Sequence, residues 1–324
     1  MVQLFEQDIK TNDRQSSKGN QLKWCRNNVW YKADYMGYEG LVEYVVSRLL
    51  EKSSLKQEEY VLYKTEEISY KRRKYLGCKS ENFLPEGWQL ITLERLFYGF
   101  YNESLYKKLF TIPEHSERLE FIVDQTERIT GISDFGKYMS KILAIDTFFM
   151  NEDRHMHNIG VLMDAEEKYH LCPIFDNGAG LLSDIQMDYP MEENINNLME
   201  EARSKTLCED FDEQIGIAEE LYGQQISLEF NEKDVKEIFH ARALLIIVSK
   251  HQGKDENHEP LGSSDASAFK HLYTELADTE EDIHNAEQIF LLLQEIHEYP
   301  QDHERKTVFI QRKIGNNPRK KIPG

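Results

Sequence analysis

The sequence predicts an α+β fold with two lobes: a small, strand-rich lobe at the N-terminus and a larger helical lobe that carries one β-hairpin. Three observations lead to this prediction. Residues 29–78 contain three short runs rich in β-branched and aromatic residues, with one helical segment among them. From about residue 90, apolar residues recur mostly at helical spacing. Residues 157–176 form two strand-like runs around a polar turn. Such a plan indicates a ligand cleft between the lobes but does not by itself define a function.

The N-terminal lobe is predicted from five consecutive segments. VWYKAD (29–34) is typical of a strand, and residues 39–51 have apolar side chains at helical spacing. EYVLYKT (59–65) and SYKRRKYLGC (69–78) predict two further strands. ENFLPEGWQL (81–90), with its Pro and Gly, predicts a connection to the second lobe.

The larger lobe begins with helices and contains one hairpin. Tyr138, Ile142, Ile145 and Phe149 would share one face of a helix over residues 135–150, with Asp134 as its N-cap. A hairpin is expected over HNIGVLMD and KYHLCPIFD, with its turn at Ala165-Glu166-Glu167. Further helices are expected at 192–222, 232–251 and 281–297.

The lobe boundaries follow from the change in pattern along the chain. We predict the N-terminal lobe at residues 1–86 and the helical lobe at residues 87–305. Residues 306–324 are polar and basic and contain Pro and Gly, which predicts a solvated tail.

Charge narrows the range of partners. The 324 residues include 39 Lys and Arg against 58 Asp and Glu, a formal net charge of −19. A protein this acidic repels phosphate backbones and anionic lipids, so we expect no nucleic-acid partner. No run of about 18 apolar residues occurs, so we expect no membrane insertion.

The cysteine pattern and the N-terminal residues bear on the compartment. The four cysteines are far apart in the sequence, and no two of them form a CxxC motif. This spacing predicts neither a zinc site nor a disulfide framework. The cysteines are Cys25, Cys78, Cys172 and Cys208. The N-terminal residues lack the basic-then-apolar pattern of a signal peptide, so the cytoplasm is the expected location. Export as an effector without a cleaved signal stays open.

The segment NEDRHMHN (151–158) lies between two apolar runs and carries the main functional pattern. Asn158 and Asp176 stand at the two ends of the predicted hairpin, so they should lie within reach of one cation. A carboxylate, an amide oxygen and several waters or phosphate oxygens suit Mg²⁺. Asp153 would stand apart and accept a hydrogen bond from an incoming hydroxyl. This division of roles is that of phosphoryl transfer. Asp and Asn are also common in turns, but the spacing and the hairpin together favour the functional interpretation.

The order of residues in this segment resembles a known family. The spacing D-x4-N matches the protein-kinase catalytic loop, and FDNG resembles the D-F-G motif in position. Here, however, Arg154 and His155 follow the Asp, as in the D-R-H-x-x-N of phosphatidylinositol 3/4-kinases. Over residues 134–180 the sequence resembles the HipA-like and CtkA-type bacterial serine/threonine kinases. The resemblance implies a protein-kinase-like fold, dependence on ATP and Mg²⁺, and a protein substrate with a Ser or Thr hydroxyl.

The resemblance also implies an ATP-anchoring lysine on a strand, paired with a glutamate on the next helix. Lys32 in the strand at 29–34 has this position, and Glu43 is the matching glutamate. Glu43 borders the apolar side of its helix, where a carboxylate requires a cation. Glu39, one turn earlier, is the competing candidate.

A phosphate-binding loop is expected just before this strand. The stretch QSSKGNQLK offers backbone N–H groups and a glycine that allows close approach. The candidate residues are Ser16, Ser17, Lys18, Gly19 and Asn20. The loop is neither G-x-G-x-x-G nor a Walker A motif. By resemblance to HipA-like kinases, its serines could also be autophosphorylated.

Other residues near the motif are expected to have structural roles. Asp146, Arg154 and His155 should support the loop, with Asp146 accepting its hydrogen bonds. Residues 133–136 spell S-D-F-G, but they precede the loop and are better interpreted as a helix cap. His155 and His157 form an HxH pair without a third metal ligand at useful spacing, and His157 is expected to face solvent.

Three functions therefore remain open. The leading prediction is an ATP- and Mg²⁺-dependent serine/threonine protein kinase. A phosphoinositide-type lipid kinase would share D-R-H-x-x-N but requires a basic surface, whereas residues 181–201 are acidic. The third is a nucleotide-binding pseudokinase that acts as an interaction module. The acceptor, the adenine-contacting residues and the oligomeric state are not predicted.

Overall fold

The computed structural model describes residues 1–10, 21–190 and 195–230, together with Asp234, Val235, Glu237 and Ile238. The strands in these residues are β1 (Val2–Gln3), β2 (Lys23–Arg26), β3 (Val29–Ala33), β4 (Lys64–Tyr70), β5 (Arg73–Glu81), β6 (Gln89–Thr92), β7 (Gly160–Met163) and β8 (Tyr169–Leu171). The helices are α1 (Glu39–Leu50), α2 (Leu93–Tyr101), α3 (Leu105–Phe110), α4 (His115–Thr130), α5 (Phe135–Phe149), α6 (Ile195–Glu201) and α7 (Phe211–Tyr222).

Some predicted elements fall outside this part of the chain. They are the helix at 281–297, most of the helix at 232–251, the basic tail at 306–324 and the candidate phosphate loop at 16–20. Across the described ranges, none of the helices combines the length and the apolar character required to span a bilayer.

The N-terminal sheet has the strand order β1-β4-β5-β3-β2, and α1 packs against β4 and β5. Strand β3 is internal, with Lys32 opposite Lys23 on one side and Cys78 on the other. Both the strand predicted at 29–34 and the helix predicted at 39–51 are confirmed. Because β3 is internal and α1 follows it in the chain, the side chains of the strand and of the helix have fixed positions relative to each other.

The two strands predicted at 59–65 and 69–78 were given wrong limits. The structure has a hairpin of β4 and β5 instead, with Tyr70 opposite Arg73. Its turn residues, Lys71 and Arg72, both have positive φ, 47° and 63°. Turns of this kind are usually made by Asn or Gly, so the polar run contains no recognisable turn signal.

Residues 59–63 do not continue the sheet because their backbone pairs elsewhere. Tyr60 forms a parallel bridge with Ile174. The N–H of Val61 donates to the carbonyl of Ile174, and the N–H of Ile174 donates to the carbonyl of Glu59. This exchange fastens the small lobe to the end of the second hairpin.

The predicted second hairpin is confirmed as β7 and β8, and a third strand joins it. The small sheet has the order β6-β7-β8, with Ile91 opposite Val161. Strand β6 was not predicted. Its first two residues are the last two of the segment 81–90, which the sequence indicated as a connection. The hairpin is therefore supported along one edge.

The helix predicted at 135–150 is confirmed as α5, but the role of Asp134 was wrong. Asp134 stands at the N-cap position without a side-chain cap bond. Its carboxylate pairs with Lys137 at 2.8 Å, and the N–H of Phe135 donates to Glu127 Oε1 at 2.9 Å. The backbone at Asp134 is outside the extended region from which a side chain normally caps.

The single helix predicted at 192–222 is two helices, α6 and α7, separated by residues 202–210. Asp210 caps α7, because its carboxylate accepts from the N–H of Glu213. The segment between the two helices forms hydrogen bonds with the loop at 151–158 instead of continuing the helix.

One large apolar core joins the two lobes. It includes the buried face of α1 and continues through α4, α5 and α7. Leu49, Ile122 and Ile145, from three different helices, are completely buried in it. A smaller cluster around Trp24 packs against the other side of the N-terminal sheet. Because α1 belongs to the large core, its position is coupled to the helical lobe.

Close packing in the N-terminal lobe depends on two glycines. A Cβ at Gly40 would lie 2.5 Å from the carbonyl carbon of Gly77, and a Cβ at Gly77 would lie 2.0 Å from the carbonyl oxygen of Lys32. Gly40 therefore allows α1 to approach β5, and Gly77 allows β5 to pair closely with β3.

We expect Gly77→Ala to reduce the free energy of unfolding by about 1–3 kcal/mol or more, because the new methyl group overlaps backbone atoms. Gly99→Ala is the matched control. Gly99 lies in α2 with nothing within 4 Å of its Cβ position, so this variant should be more stable by about 0.5–1 kcal/mol. Urea unfolding of both variants measures the difference, and an unchanged Gly77→Ala would contradict the close packing.

Candidate active site

The loop at 151–158 is held between two buried elements. Helix α5 ends at Phe149, the positive φ of Met150 (50°) turns the chain out of the helix, and β7 begins at Gly160. Asn151, Glu152, Asp153 and Arg154 are all buried, although the segment is strongly polar. Buried polar groups require partners, and the partners here fix the conformation of the loop.

Arg154 and Asp146 form the central contact of the loop. Both are buried, with side chains 1% and 0% exposed. Arg154 Nε donates to Asp146 Oδ2 at 2.9 Å, and Nη2 donates to Oδ1 at 2.9 Å. Burial alone would lower the pKa of Arg154, but the Asp146 carboxylate raises it above its ordinary value. Asn151 also donates to Asp146 at 2.9 Å, so the loop bonds to α5 as predicted.

The remaining N–H groups of Arg154 join the two ends of the hairpin. Nη1 donates to the carbonyl of Phe175 at 2.6 Å and to that of Asn158 at 3.3 Å. Nη2 donates to Asn177 Oδ1 at 2.7 Å. The backbones at Asn158 and just before Asp176 therefore meet at one guanidinium group.

Asn158 and Asp176 carry the oxygen atoms that could bind a cation. The Nδ2 group of Asn158 donates to the carbonyl of Asp153 at 2.9 Å, which leaves Oδ1 as the ligand atom. Asp176 has a positive φ of 62°, which is uncommon for a residue other than Gly. An amide oxygen and a carboxylate are hard ligands of the kind that Mg²⁺ prefers.

Lys32 contacts both Glu43 and Asp176. Its Nζ lies 2.6 Å from Glu43 Oε1 and 2.7 Å from Asp176 Oδ1. Burial alone would lower the pKa of Lys32, but Asp176 and Glu43 raise it well above its ordinary value. The Tyr63 ring also faces Lys32, with 5.2 Å from Nζ to the ring centroid. The pairing predicted between Lys32 and Glu43 is present, and Asp176 completes a three-residue cluster.

Glu43 also reaches across to the second lobe. Its Oε2 accepts from the N–H of Asn177 at 3.0 Å. Glu39, the competing candidate, instead accepts from the backbone N–H groups of Tyr35 and Met36 at 3.1 and 2.7 Å. Helix α1 is thereby connected through one carboxylate to the residue after Asp176.

Lys23 is a site residue that sequence reasoning missed. It lies opposite Lys32 on the neighbouring strand, and its Nζ is 3.8 Å from Asp176 Oδ2. Burial alone would raise the pKa of Asp176, but Lys23 and Lys32 hold it well below its usual range. The available signal was Asn27-Asn28, a pair that favours a tight hairpin turn between β2 and β3.

Asp153 and the histidines complete the loop. Asp153 is 8% exposed, and its N–H donates to Asn151 Oδ1 at 3.4 Å. His157 is exposed, as predicted. His155 contributes its carbonyl oxygen to the N–H of Asn158 at 2.7 Å, whereas its buried Nδ1 has no hydrogen-bond partner in the described part of the chain. Its ring therefore gives the loop no bond through Nδ1.

The candidate phosphate loop, Ser16, Ser17, Lys18, Gly19 and Asn20, lies outside the described residues. The described chain on either side of it is paired. Ile9 forms an antiparallel bridge with Trp24, and the N–H of Lys10 donates to the carbonyl of Lys23 at 3.0 Å. The described residues just before the segment therefore lie next to the strand that carries Lys23.

Comparison with known proteins shows the fold class. No protein-family model matches the chain, and no curated protein matches it. Among solved structures, the chain is similar to the crystal structure of a Helicobacter pylori proinflammatory kinase, CtkA. The TM-score is 0.51 at 16% sequence identity, and the alignment covers 96% of this chain and 98% of that one. The chain therefore has a two-lobed kinase fold, as the sequence predicted.

We expect Asp146→Ala to reduce the free energy of unfolding by about 3–5 kcal/mol, because it leaves the buried Arg154 guanidinium unpaired. The exposed pair of Asp134 and Lys137, at the start of the same helix, is the matched control. Asp134→Ala should cost less than about 1 kcal/mol. Urea unfolding compares the two, and equal losses would contradict a supporting role for the buried pair.

The lowered pKa of Asp176 predicts a pH dependence. A carboxyl group whose folded pKa is depressed stabilises the fold above its unfolded pKa of about 3.9, and the stabilisation is lost as the pH falls through the folded value. The stability advantage of the parent over Asp176→Asn should therefore be largest above about pH 5 and shrink towards pH 3. Urea unfolding at four pH values measures it. A difference that stays constant with pH would refute the depressed pKa, and Asp134→Asn serves as the exposed control.

Proposed function

We propose that the protein is an ATP- and Mg²⁺-dependent phosphotransferase that acts on Ser or Thr hydroxyl groups of proteins. The observation that supports this most strongly is the cluster in which Lys32 contacts both Glu43 and Asp176. Active protein kinases require the same pairing of a strand lysine with a helix glutamate and an aspartate for the metal. The kinase fold of the similar CtkA structure agrees with it.

Each residue then has a defined role in phosphoryl transfer. Lys32 binds the phosphates of ATP, and Asn158 and Asp176 hold the metal through their oxygen atoms. Bound Mg²⁺ supplies positive charge that neutralises the transferring phosphate. Asp153 accepts the proton of the acceptor hydroxyl, whose oxygen forms the new bond to the γ-phosphorus. The bond from that phosphorus to the β-phosphate oxygen breaks, and ADP leaves with the electron pair.

The cations at Asp176 support a phosphate ligand in an otherwise acidic protein. Lys23 and Lys32 both lie near this carboxylate, so binding of a metal ion there would free the lysines to contact phosphate oxygens. The residues Ser16 to Asn20 remain the proposed phosphate-covering loop. Autophosphorylation of Ser16 or Ser17 belongs to the same proposal.

A protein acceptor is favoured over a phosphoinositide by charge. Residues 181–201, which follow the proposed metal site, contain acidic residues and no Lys or Arg. A lipid kinase requires basic residues near its cleft to meet anionic headgroups. The net charge of −19 likewise disfavours binding to anionic lipid headgroups.

We expect the parent to transfer radiolabelled phosphate from ATP with Mg²⁺ to itself or to a panel of acceptor proteins. Asp153→Asn should reduce the rate by about 10²–10⁴-fold, because the hydroxyl proton loses its acceptor. Lys32→Met and Asp176→Ala should abolish transfer. Asp134→Asn is the control, since Asp134 is exposed at the far end of α5 and should retain the parent rate.

Full activity of Asp153→Asn or Asp176→Ala would contradict the assigned roles. Thermal stabilisation of the parent by ATP without any transfer would instead support the pseudokinase alternative. Transfer to phosphoinositide vesicles, but not to proteins, would identify a lipid kinase.

A further inference from the structure

Three possible metal ligands meet on the helical lobe, at a site separate from the Lys32 cluster. The side chains of His115, Cys208 and Glu213 approach so that one ligand atom of each lies within 4.8 Å of the other two. His115 is the first residue of α4, Glu213 lies in the first turn of α7, and Cys208 belongs to the segment 202–210. Among the residues that the structure describes, this is the one such group of three.

The surrounding fold holds these residues together. Arg118, one turn into α4, donates to the carbonyls of Ile112 and Leu207 at 2.8 and 2.7 Å, which fixes the chain next to Cys208. Cys208 Sγ donates to the carbonyl of Asp210 at 3.2 Å, and the Asp210 side chain caps α7. The start of α4, the segment 202–210 and the start of α7 are thus connected by hydrogen bonds around the three ligands.

The ligand set selects the kind of metal. A thiolate, an imidazole and a carboxylate suit Zn²⁺, which often takes three protein ligands and leaves a fourth position for water. A thiolate is too soft for Mg²⁺ or Ca²⁺. The positive end of α7 favours the anionic form of Glu213, which lies in the first turn of that helix. Cys208 is buried, whereas Glu213 is exposed to solvent. An ion could therefore enter the site from the side of Glu213.

We propose that His115, Cys208 and Glu213 form a zinc site with water as the fourth ligand. In the metal-free protein, His115 Nδ1 contacts Glu213 Oε1 at 2.5 Å. Burial raises the pKa of Cys208 to about 11, so its thiol is protonated at neutral pH. Zinc binding replaces the hydrogen bond between His115 and Glu213 with two metal bonds and releases the thiol proton to solvent.

The site would act on the loop at 151–158 through the segment that holds Cys208. Thr206 Oγ1 donates to the carbonyl of Arg154 at 2.8 Å, and the N–H of Arg203 donates to Glu152 Oε1 at 2.8 Å. A metal ion at Cys208 would fasten this segment to α4 and α7 and so stabilise the support of the loop. The proposal stands independently of the proposed phosphotransferase function.

Zinc binding to the chelator-treated full chain tests the proposal, by equilibrium dialysis and by titration with Co²⁺ as a spectroscopic substitute. The parent should bind one equivalent of zinc, and its cobalt form should show a thiolate-to-metal charge-transfer band. Cys208→Ser and His115→Gln should each weaken zinc binding by about 100-fold or more. Loss of an outer-shell partner alone costs about 10–100-fold, and these variants each remove a direct ligand. Cobalt bound to Cys208→Ser should lack the band.

Two matched controls distinguish this site from others. Cys25→Ser removes a half-buried thiol from the N-terminal sheet, and His157→Gln removes the exposed member of the HxH pair. Both should bind zinc like the parent. Loss of binding in His157→Gln, or binding by Cys208→Ser equal to that of the parent, would overturn the assignment.

The absence of zinc binding by the parent at micromolar zinc would also overturn it, leaving an ordinary hydrogen-bonded pair beside a buried thiol. Urea unfolding of the metal-free variants checks that each is folded. If Cys208→Ser does not fold, the exposed Glu213→Gln takes its place, because its amide can still bond to His115. Either unaltered zinc affinity in Glu213→Gln or a cobalt form of the parent without the charge-transfer band would then overturn the assignment.

Discussion

The rest of the site depends on the buried ion pair between Arg154 and Asp146. A buried ion pair adds little to the free energy of unfolding, because both charges lose their hydration. Removing one partner is strongly destabilising, since the other charge is then buried alone. Arg154 has five N–H donors in one plane and uses them on α5, on both ends of the hairpin and on Asn177. A lysine could not form this set of bonds. The geometry of the loop is therefore fixed by one guanidinium group.

From Arg154 the same chain of contacts reaches the small lobe. Asn177 accepts from Arg154 and donates its N–H to Glu43, which pairs with Lys32, and Lys32 returns to Asp176. The apolar core follows a parallel route, because the buried face of α1 packs into the helical lobe. Polar and apolar contacts thus align the two lobes together. They also bring positive charge to Asp176 in a protein whose net charge is −19.

The segment 202–210 connects this polar network to the outer helices. It supports the loop at 151–158 through Thr206 and is itself fastened to α4 by Arg118. Between these contacts and α7 stands Cys208, with His115 and Glu213. Conditions that alter this group, such as the availability of zinc, would therefore be transmitted to the loop through a short, well-bonded segment rather than through the apolar core.

The sequence by itself determined the elements with strong local periodicity: α1, α5 and the second hairpin, together with the spacing from Asp153 to Asn158. The resemblance to HipA-like kinases implied the pairing of Lys32 with a helix glutamate, and the position of Glu43 at the apolar edge of α1 favoured it over Glu39. The sequence could not give the limits of β4 and β5, whose turn uses Lys and Arg. Nor could it bring Lys23 to Asp176 or His115 to Cys208. These contacts join residues far apart in the chain, and only tertiary packing decides which distant side chains meet.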